Sequence, residues 1–222
     1  MTVVTIARQL GARGEAVGNR LAEALGWKLL DRALVERIAE ELEVAPEQVE
    51  ATNERVEGFV ERLGLYLSEG FPEALPVPAV PTISPETTAR AARRIVAAAA
   101  EEGTAVIVGH GAQCVLEGHP DTLPVLLYAP LEVRVARVRE HFVLGEKEAL
   151  EKVRRSDADR KRYIREHFGR DWLDPALYHL CIDTGRFGVE GAAELIWEAV
   201  TQVFPLESHG GHGGHGGMKG SG

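Results

Sequence analysis

Two cysteines in 222 residues, Cys114 and Cys181, are too few for a disulfide framework. They read as small core residues of a chain suited to a reducing, cytoplasmic compartment. No run of 18 apolar residues occurs, so no membrane-spanning helix is expected. Neither a basic leader region nor a cleavage site precedes the first apolar run, so no secretory leader is expected. Positive charge is in deficit: the formal net charge is −9 and the pI about 5.4, which argues against a coat for long nucleic acid. Also absent are Gly-Lys-Ser/Thr, Gly-x-Gly-x-x-Gly, a Ser/His/Asp constellation and a clustered metal-ligand set. An ordinary P-loop and a dinucleotide fingerprint are thereby excluded. Asp31 alone is thin support for a nicotinamide-dependent dehydrogenase.

What is present is enough to fold. A hydrophobic fraction of 45% supplies a core for a single domain over residues 1–206. Residues 207–222 form a His/Gly tail, SHGGHGGHGGMKGSG from Ser208, with nothing to bury. Short apolar runs at Val3–Ile6, Trp27–Leu30, Thr104–Val108, Leu123–Tyr128 and Tyr178–Ile182 read as buried strands. Helical spacing is expected over 16–25, 32–43, 46–69, 86–102, a segment through Val135, Val138 and Phe142, 146–168, and 189–204. Between Phe71 and Pro85 lie five of the eleven prolines, which marks a loop. Strand and helix alternate, so a parallel sheet covered on both faces is expected, with ligands beyond the carboxyl ends of the strands. Those ends carry Arg8 to Gly14, Asp31, Gly109 to Gly111 and Ala129.

Two segments carry the chemistry. Arg8, Gly11, Ala12, Arg13, Gly14 and Glu15 form a turn between a strand and a helix, where backbone N–H groups and a helix start favour an anion. Further on, residues 152–165 hold seven Lys/Arg against two Asp, a local charge of +5 on an acidic protein. Within this run Arg155, Asp157, Asp159, Arg160 and Arg162 combine guanidinium forks that fit phosphate with carboxylates that can orient them. Arg155, Asp159 and Arg162 share one helical face by spacing.

The segments VTIARQLGARGEAVGNRLAEALGWKLLDRALVERIAEEL, AVIVGHGAQCVL, LPVLLYAPLEVRVARV and RRSDADRKRYIREHFGRDWLDPALYHLCIDTGRFGVEGAAELI together resemble the cytidylate kinase-like proteins, in order and over residues 3–204. The resemblance implies a three-layer P-loop kinase-like α/β fold with a parallel sheet. It also implies a helical monophosphate-binding insertion over 34–102 and an arginine-rich, lid-like segment over 145–175. Asp157, Asp159, Arg160 and Arg162 match the Asp-x-Asp-Arg-x-Arg form of such lids, so catalytic roles are carried to them and to Arg155. Asp31, Arg37, Gly109 and His110 match acceptor-binding positions, and Arg134 and Arg137 can add to the phosphate field. ATP, Mg2+ and a nucleoside monophosphate are the implied partners, and a homodimer is compatible with the chain.

Two departures bear on catalysis. Gly14 stands where the P-loop lysine would be and Glu15 where the magnesium-binding hydroxyl would be. Arg8, Arg13 or a lid arginine can supply the missing charge. His110 replaces an arginine, and would carry charge at pH 7 only if an anion raised its pKa. The first reading is a kinase of CMP or dCMP. A nucleotide-binding regulatory protein without catalysis, or a kinase of another small acceptor, are the alternatives.

Overall fold

The computed structural model describes residues 2–42 and 85–204. Strand β1 (Val3–Arg8) leads through a short loop into α1 (Gly14–Leu25), which ends at Gly26 as expected. Strand β2 (Lys28–Leu30) and α2 (Arg32–Glu41) follow, then α3 (Pro85–Glu102), β3 (Ala105–Val108) and the short α4 (Ala112–Val115). The chain continues through β4 (Thr122–Tyr128), α5 (Leu131–Phe142), α6 (Glu146–Phe168), a 3-10 turn (Pro175–Leu177), β5 (Leu180–Asp183) and α7 (Thr184–Val203). The helix expected over 46–69, the proline-rich loop through residue 84 and the tail lie outside the described residues.

All five strands pair in parallel, in the order β2-β3-β1-β4-β5. Parallel pairing needs crossover helices, so both faces are covered and the central strands are mostly apolar, with Thr5 and Thr122 buried among them. The cause is visible in β1. Val3 joins Leu30, Ile107 and the alanines of α3 on one face, while Val4 and Ile6 join Val17, Leu21, Ile196 and Val200 on the other. Alanines at 91, 92, 99 and 100 let α3 approach the sheet closely, with Ile38 and Ala39 of α2 beside them. These described ends of the 34–102 insertion are thus part of the core layer. Leu21 is fully buried, and its truncation to alanine is worth ~2–5 kcal/mol by the usual cost of a core cavity.

Three readings of the sequence change. The last helix begins at Thr184, not 189, and Gly188 interrupts it with non-helical backbone, so apolar spacing registered only the part beyond the break. Cysteine burial is also less than expected: Cys114 is half-buried and Cys181 is exposed on the edge strand β5, with both thiols free. Burial raises the pKa of Cys114 to about 11, with Glu117 adding to the shift, so it stays a thiol at neutral pH. The short α4 and the 3-10 turn have no counterpart among the expected elements, being too brief to show a period.

Candidate phosphate site

The parallel topology brings the carboxyl ends of β1, β3 and β2 side by side, in that spatial order. From the end of β1, Arg8 crosses two glycines. A Cβ at Gly14 would lie 2.6 Å from both Cβ and Cγ of Arg8, so the arginine stem fills the space a side chain there would need. At Gly109 a Cβ would collide with the Arg8 guanidinium itself. Beyond β2, Asp31 places a carboxylate oxygen 4.0 Å from Arg8 Nη2. Burial raises the Asp31 pKa, Arg8 opposes that rise, and the carboxylate of Glu15 adds to it. Asp31 and Glu15 are therefore near enough to feel each other across the first loop.

The turn after β3 is held open by left-handed backbone at Gly109, His110 and Gly111, with φ of 85°, 55° and 71°. Histidine tolerates that region better than most residues with a Cβ. Burial, aided by the charge of Arg8, lowers the His110 pKa to about 4. The imidazole is neutral at pH 7, so the protein on its own does not supply the raised pKa a charged His110 requires.

Helix α6 closes this edge. Its C-terminal end packs on the turn, where a Cβ at Gly111 would meet the Phe168 ring at 2.6 Å. Arg160 lies near Arg8: burial and then the Arg8 charge depress its pKa, and its guanidinium sits 6.0 Å from the Trp172 ring centroid. Asp157 faces α5, where its two oxygens accept from Arg134 Nη1 at 3.1 and 2.8 Å, while Arg134 Nε donates to the Ala129 carbonyl at 3.1 Å. Burial nonetheless raises the Asp157 pKa, more than Arg134 lowers it. Asp159 is buried and accepts from Arg162 Nη2 at 2.5 Å; Arg162 and Arg155 are otherwise exposed.

The first loop is clamped from the other side. Arg137 Nη1 donates to the Gly11 carbonyl at 3.0 Å and to Thr184 Oγ1 at 3.2 Å, and Nη2 donates to the Thr184 carbonyl. The Gly11 position lies directly against the Arg134 backbone. Ala12 is buried and its N–H donates to the Gln9 carbonyl at 3.0 Å. Arg13 caps α1 from a left-handed conformation, exposed and close enough to Arg137 to lower its pKa, second to burial. Arg134 and Arg137 thus hold the loop's shape.

The structure therefore brings Arg8, Gly14, Asp31, Gly109, His110 and Arg160 together, with Glu15 at the rim. Arg37 is not among them. It pairs with Glu102 at 3.0 Å, a carboxylate that also feels Lys28, and so sits toward the amino ends of β2 and β3. The reason is directional: α2 runs back along the sheet from Asp31, so each residue descends from the ligand edge. One cation was missed. Arg93 of α3 donates to the His167 carbonyl and lies 4.6 Å from the Phe168 ring centroid, which ties α3 to the end of α6. Its only signal in the sequence is an arginine within an alanine-rich helix. Among the described residues, no group of three or more His, Cys, Asp or Glu could hold a metal by protein ligands alone, and no helix is long and apolar enough to cross a membrane.

Solved structures share the architecture. An uncharacterized protein from Eubacterium ventriosum superposes with a TM-score of 0.66 at 20% identity, covering 90% of this chain and 98% of that one. Shikimate kinase from Bacteroides thetaiotaomicron gives 0.50 at 14% identity, covering 90% and 98%. At such identities the likeness establishes the kinase-like α/β fold. In sequence, cytidylate kinase from Methanopyrus kandleri is 33% identical over 118 residues, 49% of this chain and 61% of that protein. Cytidylate kinase from Aeropyrum pernix is 36% identical over 100 residues, 45% of this chain and 57% of its own length. The chain thus spans about 60% of the length of these curated relatives. The model of the cytidylate kinase-like family, by contrast, matches residues 3–186, most of the chain and every segment that builds the ligand edge; the chain belongs to that family.

Proposed function

We propose that the protein transfers the γ-phosphoryl group of ATP to CMP, dCMP or a related nucleoside monophosphate. The observation that carries this reading is the convergence of Arg8, Arg160, His110 and Asp31 at one sheet edge, in a chain of this family. Such a reaction asks the protein mainly to position and to neutralise charge. An oxygen of the acceptor phosphate attacks the γ-phosphorus, the bond to the β,γ-bridging oxygen breaks, and ADP departs with the electron pair. No strong base is needed, because the attacking oxygen is already anionic. In this reading Arg8 and Arg160 face the transferring charge, and the 109–111 turn borders the acceptor. Helix α6 is the core of the lid-like segment over 145–175, and the 34–102 insertion bears the acceptor. Asp157 and Asp159 orient arginines. Magnesium fits the donor set: Asp31, with Glu15 beside it, offers the one or two carboxylates such an ion takes along with nucleotide phosphates, and it would neutralise phosphate charge there.

A screen of nucleoside monophosphates with ATP and magnesium, read as ADP formed, tests the proposal. ADP formation with a cytidine monophosphate above the others is the expected result. Saturable binding of CMP and ATP without ADP supports the second reading, a nucleotide-binding regulatory protein. That reading is favoured by glycine at 14 and by the neutrality of His110.

A further inference from the structure

In the phosphate-binding pattern Gly-x4-Gly-Lys-Ser/Thr, glycine opens the loop and lysine follows it. Laid on this chain, Arg8 occupies the opening glycine and Gly14 the lysine. Arg13 and Glu15 fall on the second glycine and the hydroxyl, and the structure joins the departures at 8 and 14. The stem of Arg8 lies where a side chain at 14 would begin, with contacts of 2.6 Å to a Cβ there. A large residue at 8 and a large residue at 14 exclude each other. Arg13, the other candidate for the missing cation, is exposed at the helix cap, near enough to Arg137 to lower its pKa.

We infer that positions 8 and 14 form an exchanged pair: Arg8, reaching over Gly14 from the strand end, is the phosphate-binding cation of this loop in place of the lysine. The inference rests on the phosphotransferase reading for the identity of the ligand, a nucleoside triphosphate or its pyrophosphate moiety. Asp31 at 4.0 Å, Gly109 beneath the guanidinium and Arg160 nearby fix where that cation sits. It stands at the end of β1, the strand that leads into α1, whose first N–H groups favour an anion.

Exchange makes a distinctive demand on variants. Arg8→Gln keeps bulk over Gly14 but removes the charge, and is expected to weaken ATP and pyrophosphate binding by about 10- to 100-fold, the scale of a lost charge-assisted contact. Gly14→Lys alone is expected to weaken binding as well, because its Cβ meets the Arg8 stem. The double variant Arg8→Gly with Gly14→Lys restores the opening glycine and the lysine, with Arg13 and Glu15 unchanged, and should bind within about fivefold of the wild-type chain, far above Arg8→Gly alone. Calorimetric titration of the full chain with ATP and with pyrophosphate reads all four, and a thermal melt of each confirms folding. Unchanged affinity in Arg8→Gln overturns the inference. So does a double variant no better than Arg8→Gly, or a wild-type chain that binds neither ligand. The kinase reading is judged separately: ADP formed by both wild type and Arg8→Gln at equal rates removes the exchange but leaves the kinase. Pyrophosphate binding lost in Arg8→Gln, in a chain that forms no ADP, supports the exchange and removes the kinase.

Discussion

His110 shows what burial adds to a position assigned by resemblance. The Gly109-His110 pair places it at an acceptor-binding position, yet burial and Arg8 hold its pKa near 4. The sign of the linkage follows. Below pH 6.5 an unfolded histidine takes up a proton that folded His110 refuses until about pH 4, so the unfolded state binds more protons in that window. Stability should be level above pH 6.5 and fall as pH drops from there toward 4. His167, lowered by burial and then by Arg93, contributes with the same sign. His110→Asn, which suits left-handed backbone, should flatten the slope measured by urea denaturation at pH 7, 6, 5 and 4.5. Parallel slopes in the two proteins would mean that His110 is not the group responsible. A bound phosphate dianion would raise the pKa again, so ligand affinity should grow as pH falls toward 6.

Helix α6 is where an element adds what a residue pattern lacks. Its existence and ends, 146–168, were legible from the charged run and its flanking glycines, Gly145 and Gly169. Its orientation was not. Spacing grouped Arg155, Asp159 and Arg162 on one face, but only the partner elements decide which charges turn inward. Asp157 meets Arg134 of α5, Arg160 meets the Arg8 edge, and Arg155 remains in water. The Arg134 side chain is 7% exposed and that of Asp157 26%, so the arginine would be left buried without its carboxylate. Removing one partner of such a pair leaves a charge without its counterion and costs about 3 kcal/mol. Asp157→Ala should therefore lower the melting temperature by roughly 6–12 °C for a chain of this size. By contrast, Arg155→Ala should change stability by less than about 0.5 kcal/mol, as exposed substitutions do. Equal effects in a calorimetric comparison would remove the inward and outward assignment. Gly111→Ala bears on the other end of the helix: a left-handed φ and the Phe168 contact both oppose it. It should loosen the last turn of α6, read as faster amide exchange near Phe168 with little change in the central strands.

At the scale of the molecule, the alternation of strands and helices was legible because parallel strands are buried on both faces and stand out as apolar runs. The order β2-β3-β1-β4-β5 was not, since it is set by how crossover helices pack and not by local sequence. That order is what carries Arg8 to Gly109, about a hundred residues away in the chain, and hence what makes the site. It also gathers positive charge: burial first, and then the nearby charge of Arg8, lower the pKa of Arg160. A ligand that supplies two or more negative charges relieves this repulsion and so favours the folded state as a whole. At a concentration 100 times its dissociation constant, a ligand that binds only the folded chain stabilises it by about 2.7 kcal/mol. For a protein of this length that corresponds to a rise in melting temperature of roughly 5–10 °C. Pyrophosphate should produce such a rise, and sodium chloride at matched ionic strength should not, because partly buried charges are poorly screened by simple salt. Arg160→Ala should show a smaller pyrophosphate response, measured as the rise over its own melting temperature without ligand. A response to chloride equal to that of pyrophosphate would mean diffuse screening of the acidic surface. A response to neither would mean that the gathered cations at the strand ends do not form an anion site.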